Sequence, residues 1–138
     1  LFDTPCLFRN KFFKDIKLTF KDGKVIEASS SNYNEDLNTI VYSDEGSCYL
    51  GEVAFGVNPN VTKIVDNILF DEKMLGSIHI ALGTSHVNST NGNKSNVHWD
   101  IVQVHKPEFG GGEVYLDDKL IMKDGKFIPL ELQSLNVR

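Results

Sequence analysis

Val97-His98-Trp99-Asp100-Ile101-Val102-Gln103-Val104 is a short apolar run interrupted by an imidazole and a carboxylate two residues apart. It reads as a strand. Alternate residues of a strand project to the same side, so His98 and Asp100 point together. Upstream, Ile78-His79-Ile80-Ala81-Leu82 carries one histidine among aliphatics, and Glu52 interrupts Tyr49-Leu50-Gly51-Glu52-Val53-Ala54-Phe55. Three apolar segments thus carry metal-ligand side chains where aliphatic ones would pack more easily. Burying such groups unpaired is costly, and a divalent cation is the economical compensation.

Around these segments the chain is punctuated by hairpin signals. Ile16 to Phe20 alternates, Lys21-Asp22-Gly23-Lys24 turns, and Val25 to Ala28 continues. Leu120 to Met122, Lys123-Asp124-Gly125-Lys126 and Phe127 to Leu130 repeat the device, preceded by Glu113 to Leu116 and an Asp117-Asp118 turn. Asp-Gly is favoured there because glycine accepts the positive φ of a tight turn. Ser47 to Phe55 is expected as a strand. Asn34 to Val41 is expected as a short helix with Asn34 as its N-cap, and Thr62 to Leu69 as a second, capped by Asn60 or Thr62. Leu1 to Phe13 has no clear period. Phe70 to Gly76 is a connection, His86 to Asn96 a long polar loop, and Gly110-Gly111-Gly112 a flexible break. Hairpins demand antiparallel pairing and strands outnumber helices. The expected class is α+β: mainly antiparallel β-sheet with hairpins and two or so short helices, in a single domain over residues 1–138.

A chain of 138 residues can bury a core without disulfide staples. Its net charge of −5, with no basic patch, gives no reason to expect nucleic acid. No stretch is apolar for long enough to span a bilayer, so no membrane partner is expected. Cys6 and Cys48 lie far apart without CxxC spacing, suggesting two structural thiols and a reducing, cytoplasmic setting. The first residue is Leu1 and no signal peptide is seen, which suggests a piece or mature product of something larger.

Glu52, Glu72, His79, His98 and Asp100 form a mixed imidazole and carboxylate set suited to zinc, cobalt or manganese. One bridging carboxylate with four terminal ligands is enough for two metals. Each residue also has a bland reading: His79 as a hydrogen-bonded core histidine, Glu52 as a partly exposed strand-end charge, Glu72 as a solvated loop charge. Ser77, Ser85 and Ser95 lie near histidines, but none sits in a GxSxG elbow. Gly110-Gly111-Gly112 lacks the spacing of a phosphate loop. His105, beyond the apolar run, reads as exposed.

Five motifs in order then carry a family resemblance: KLTFKDGKVIEA (17–28), DEGSCYLGEVAFGVNP (44–59), ILFDEKMLGSIHIALG (68–83), VHWDIV (97–102) and GGGEVYLDDKLIMKDGKFI (110–128). From about Ile16 to Phe127 the chain resembles the carboxy-terminal part of the M29 metalloaminopeptidases, the thermophilic aminopeptidase T type. The resemblance implies release of amino-terminal residues from peptide substrates by a water activated on two divalent ions, Co2+ or Zn2+ and sometimes Mg2+. It implies Glu52 as the bridging carboxylate at the catalytic step, and Glu72, His79, His98 and Asp100 as metal ligands. It also implies a homodimer and an amino-terminal domain in a larger parent.

Three departures accompany it. The family supplies a further glutamate from a segment preceding this region, whereas Leu1 to Phe13 contains none. His86 stands where members often place a catalytic tyrosine, so its role as donor, acid or surface residue stays open. Two more residues separate Glu72 from His79 than in the best-known members. Beside the aminopeptidase reading stands another: a non-catalytic binding or dimerisation module with an incomplete or structural metal site.

Overall fold

A computed structural model describes residues 1–136. It contains ten strands in four antiparallel sheets and two short α-helices, the α+β arrangement expected from the hairpins. Strands β1 (Cys6–Phe8) and β2 (Lys11–Phe13) form an amino-terminal hairpin. Its turn residues Arg9 and Asn10 both have positive φ, at 47° and 63°. Leu1 to Phe13 looked aperiodic because Arg-Asn lacks the glycine that usually advertises such a turn.

The next hairpin, β3 (Lys17–Lys21) with β4 (Lys24–Ser29), turns at Asp22 and Gly23 as expected. Helix α1 (Asn34–Val41) lays Leu37, Ile40 and Val41 into the core. Its cap differs from the expectation. Tyr33, with φ 51°, holds the cap position without a side-chain hydrogen bond, while Asn34 Oδ1 accepts from the Ser30 amide. Asn34 is therefore already helical and serves the chain entering the helix.

The central sheet has the order β5 (Leu50–Phe55), β6 (Ser77–Gly83), β7 (His98–Val104). Ser47 and Cys48 precede it as a turn, not strand, and Tyr49 makes only an isolated antiparallel bridge to Lys24: Asp44 accepts the Gly46 and Ser47 amides and holds the chain curled. The second helix is also shorter than its apolar spacing suggested. Helix α2 covers only Ile68–Asp71, and its N-cap is Asn67, whose side chain accepts the Leu69 amide, not Asn60 or Thr62. Asp66 has φ 57° and breaks the helical path, and Asp71 accepts the Val65 and Asn67 amides instead. Beyond the central sheet, a turn at Pro107–Phe109 ends in Gly110 at φ 97°. All three glycines adopt positive φ there, so they set a defined bend and not a loose break. The last sheet is β8 (Glu113–Leu116), β9 (Lys119–Lys123) and β10 (Lys126–Phe127); of the expected Phe127 to Leu130 run only Phe127 is in a strand, and Leu130 begins a 3-10 turn.

One face of the central sheet builds the main core. Ile80, Leu82, Trp99 and Ile101 pack with Phe13, Ile16, Val25, Leu37 and Val41. Phe8 stacks on Trp99 at 4.7 Å between centroids, and Phe13 tilts against it at 5.0 Å. Cys6 and Cys48 are buried free thiols. Cys6 Sγ accepts from Trp99 Nε1 and donates to the Asp100 carbonyl, both at 3.3 Å. Burial pushes this thiol up to about 11, so it keeps the proton it donates. Among the described residues no helix is long and apolar enough to cross a membrane.

Candidate metal centre

The opposite face of the same sheet collects the ligand-type side chains, and strand register puts them there. Across the sheet, Glu52 pairs with Ala81 and Ala81 with Asp100, so the three occupy one cross-strand row. The next row along holds Ala54, His79 and Val102, and on the other side Gly83 pairs with His98. Since side chains alternate, His79, Ala81 and Gly83 share this face of β6, and His98 and Asp100 share it on β7.

Glu52 reaches this face through a β-bulge. Leu50 pairs with Leu82, yet Glu52 pairs with Ala81, so Gly51 is the extra residue. In unbroken register Glu52 would follow Leu50 onto the core face, because a one-residue slip flips every following side chain. Gly51 is held at close quarters: a Cβ there would lie 2.4 Å from the Gly83 carbonyl oxygen and 2.8 Å from that of Thr84.

Glu72 arrives from outside the sheet, immediately after α2. It is 7% exposed, which excludes the reading of a solvated loop charge. Its backbone is pinned, since Ser77 Oγ donates towards the Glu72 and Met74 carbonyls at 3.3 and 2.9 Å. Ser77 is thus a buried brace and not a nucleophile. The Lys73 ammonium pairs with the Glu72 carboxylate from the solvent side.

Ligand atoms of Glu72, His79 and Asp100 all lie within 4.8 Å of one another. The other two candidates join this trio through direct contacts, His79 Nε2 to Glu52 Oε1 and His98 Nε2 to Asp100 Oδ2, each 3.4 Å. His98 Nδ1 donates to the Thr84 carbonyl at 2.7 Å, which fixes the tautomer and leaves Nε2 as the nitrogen offered to the cluster. All five residues nominated from sequence as ligands are brought together. His86 is not among them: it is exposed, and its Nδ1 accepts the Asn88 amide within its own loop.

The electrostatics of this group call for a cation. Burial pushes the Asp100 carboxyl above its ordinary range; His98 opposes the shift, while Glu72 and Glu52 add to it. His79 is 3% exposed, and its Nδ1 is buried with no hydrogen-bond partner. An unsatisfied buried polar atom costs about 1–3 kcal/mol. Three carboxylates and two imidazoles that crowd, repel and leave a nitrogen unpaired fit a divalent ion of the zinc, cobalt or manganese type. His98 and Glu52 keep side-chain exposures of 36% and 23%, so the cluster is open to water on one side.

Sequence reading missed the supports: Thr84 behind His98, Ser77 behind Glu72, and the Cys6 link to the Asp100 backbone. None has a local signature, because each acts through a partner distant in sequence. It also misplaced His105, which is not exposed. Its Nδ1 is buried without a partner, its ring packs against Gly112, and burial lowers its pKa.

A sequence model of the family described as thermophilic metalloprotease (M29) matches residues 1–127, sixteen residues further towards the amino terminus than the first motif at Lys17. Aminopeptidase PepS of Streptococcus thermophilus is 26% identical over 146 residues, covering 91% of this chain and 32% of PepS. Aminopeptidase 2 of Geobacillus stearothermophilus is 29% identical over 144 residues, covering 91% of this chain and 32% of its own length. Aminopeptidase AmpS of Bacillus subtilis (strain 168) is 30% identical over 94 residues, 65% of this chain and 22% of AmpS. The solved structure of wild-type AmpT from Thermus thermophilus shares the fold, with a TM-score of 0.68 at 22% identity over 93% of this chain and 35% of that one. The chain therefore spans about a third of the length of PepS, Aminopeptidase 2 and AmpT.

Proposed function

Because the chain belongs to the M29 thermophilic metalloproteases, we propose that it is the metal-binding part of a larger aminopeptidase. Glu52, Glu72, His79, His98 and Asp100 are the residues that would hold up to two divalent ions. When bound, such ions polarise a peptide carbonyl and lower the pKa of a water to near neutrality. The observation that carries the reading is the meeting of five ligand-type residues, from three strands and a connecting turn, on one face of one sheet.

The chain's own residues have definite tasks in this scheme. Thr84 orients His98 through Nδ1, and Ser77 steadies the backbone carrying Glu72. The clustered carboxylates attract the free ammonium group of a peptide substrate, which suits removal of residues from the amino terminus. His86 lies on the exposed loop following β6 and takes a role only if that loop closes over substrate.

The side-chain exposure of His98 and Glu52 favours a catalytic centre over a sealed structural one, since structural sites fill their shell with protein ligands. The test is titration of the full-length protein with zinc or cobalt while assaying aminoacyl-nitroanilides of several residue types. Metal-dependent release is expected. No release at any metal loading would sink the proposal.

A further inference from the structure

Ala81 is the one residue at the centre of the ligand row that cannot itself bind a metal. It sits in the middle strand between Glu52 and Asp100, with His79 two residues before it and Gly83 two residues after. It is fully buried, yet it belongs to neither hydrophobic cluster of the molecule, whereas its neighbours Ile80 and Leu82 do. Its cross-strand partners on the site face are Glu52 and Asp100.

The fold gives no reason for alanine there. The backbone at 81 has no positive φ, unlike Gly83 at 91°. Alanine is a poor strand former, and a buried central strand ordinarily favours Val or Ile. The strand sequence Ile78, His79, Ile80, Ala81, Leu82 fills the other interior positions with large side chains.

Dimensions supply the missing reason. Neighbouring strands lie roughly 4.8 Å apart, so Glu52 and Asp100 stand on backbones about 9.6 Å apart, with position 81 between them. Both carboxylates reach in toward His79 across that span: His79 Nε2 lies 3.4 Å from Glu52 Oε1, and the His79 and Asp100 ligand atoms lie within 4.8 Å of one another. That span is available only if the intervening side chain stays low.

We infer that Ala81 is a positioning residue that sets the floor of the metal centre, its small volume determining whether ions fit between Glu52 and Asp100. The inference rests on the metal reading proposed above. Substituting Ala81→Val adds two methyl groups on the face that carries the ligand set, in a residue type favoured in strands. Ala81→Ser adds one small atom and no branch.

The experiment is isothermal titration of the 138-residue chain with zinc, paired with cobalt visible absorption and with melting of the metal-free protein. Ala81→Ser should bind zinc within about fivefold of the parent chain. Ala81→Val should weaken binding at least 100-fold or reduce the number of ions bound, and should lose the cobalt bands, in a metal-free protein that still unfolds in a single transition. Ala81→Thr, intermediate in bulk, keeps the series readable should the valine variant fail to fold. Zinc affinity independent of side-chain volume among folded variants overturns the inference and leaves the metal reading intact. Failure of the parent chain to bind zinc or cobalt overturns both.

Discussion

Replacing Gly51 with alanine tests the register on which the centre depends. The new Cβ would lie 2.4 Å from the Gly83 oxygen, 2.8 Å from the Thr84 oxygen and 3.0 Å from the Thr84 carbonyl carbon. These are backbone atoms of the neighbouring segment, so no flexible side chain can yield. Overpacking of this kind costs about 1–3 kcal/mol. For a chain of this size that lowers the melting temperature by about 3–15 °C. The effect on metal binding should be separate and specific, because the Thr84 oxygen accepts the His98 Nδ1 hydrogen at 2.7 Å. Displacing it frees the imidazole to rotate, and loss of such an orienting partner typically weakens metal affinity by about 10–100-fold. Trp99, the only tryptophan, lies between His98 and Asp100 in sequence and points to the other face, so its fluorescence reports cobalt binding without a label. Melting of the metal-free protein by circular dichroism and cobalt titration by fluorescence would give the two numbers. A variant that melts within about a degree of the parent and binds cobalt equally well would refute the bulge argument.

Other outcomes follow from the same structure. Trp99→Ala should cost about 3–5 kcal/mol in chemical denaturation, as a fully buried aromatic packed on Phe8 and Phe13 is removed; a loss under about 1 kcal/mol would contradict its place in the core. His105 has its pKa depressed by burial, with Asp3 opposing, so its neutral form belongs to the folded state. Its contribution is fully present above about pH 6.5, the unfolded value, and is lost as pH falls through the lower folded value. His105→Gln should therefore flatten stability against pH in that acidic window, and an unchanged profile would count against the assignment. Asp44 is held below the usual carboxylate range, chiefly by the Asn96 amide and also by Ser95, Gly46 and Ser47. Asp44→Asn should be less stable than the parent at neutral pH, the gap closing as pH drops through the lowered pKa; a gap that persists in acid would point to a role other than charge.

The hairpins and the ligand strands were legible because period two and Asp-Gly are local signals. His98 and Asp100 needed only their spacing, and β6 as a strand needed only the aliphatic run around His79, whereas its pairing with β5 and β7 has no local signal. Glu52 is different. Its nomination rested on residue type and on the ordered motifs, but its arrival on the ligand face depends on the extra residue at Gly51, which alternation alone would have sent to the core. Helix α2 was overdrawn because Ile64, Val65 and Ile68 have helical spacing, while the decisive event is Asp66 turning left-handed and Asp71 capturing amides from outside the helix. His105 was misjudged because Gly112, which covers its ring, comes from the bend after β7. Contacts between distant segments decide such cases, and a linear reading has no term for them.

The bulge at Gly51 also bears on how such a sheet can change over generations. With a core on one side and ligands on the other, β5, β6 and β7 are intolerant of gaining or losing a single residue, since any odd change exchanges the two populations beyond it. Length variation has to be absorbed between the strands. The two additional residues implied between Glu72 and His79 fall largely in that kind of place, where the chain turns before β6 begins at Ser77. Descent in this lineage would then leave its insertions in the turns, and the strands themselves would keep count.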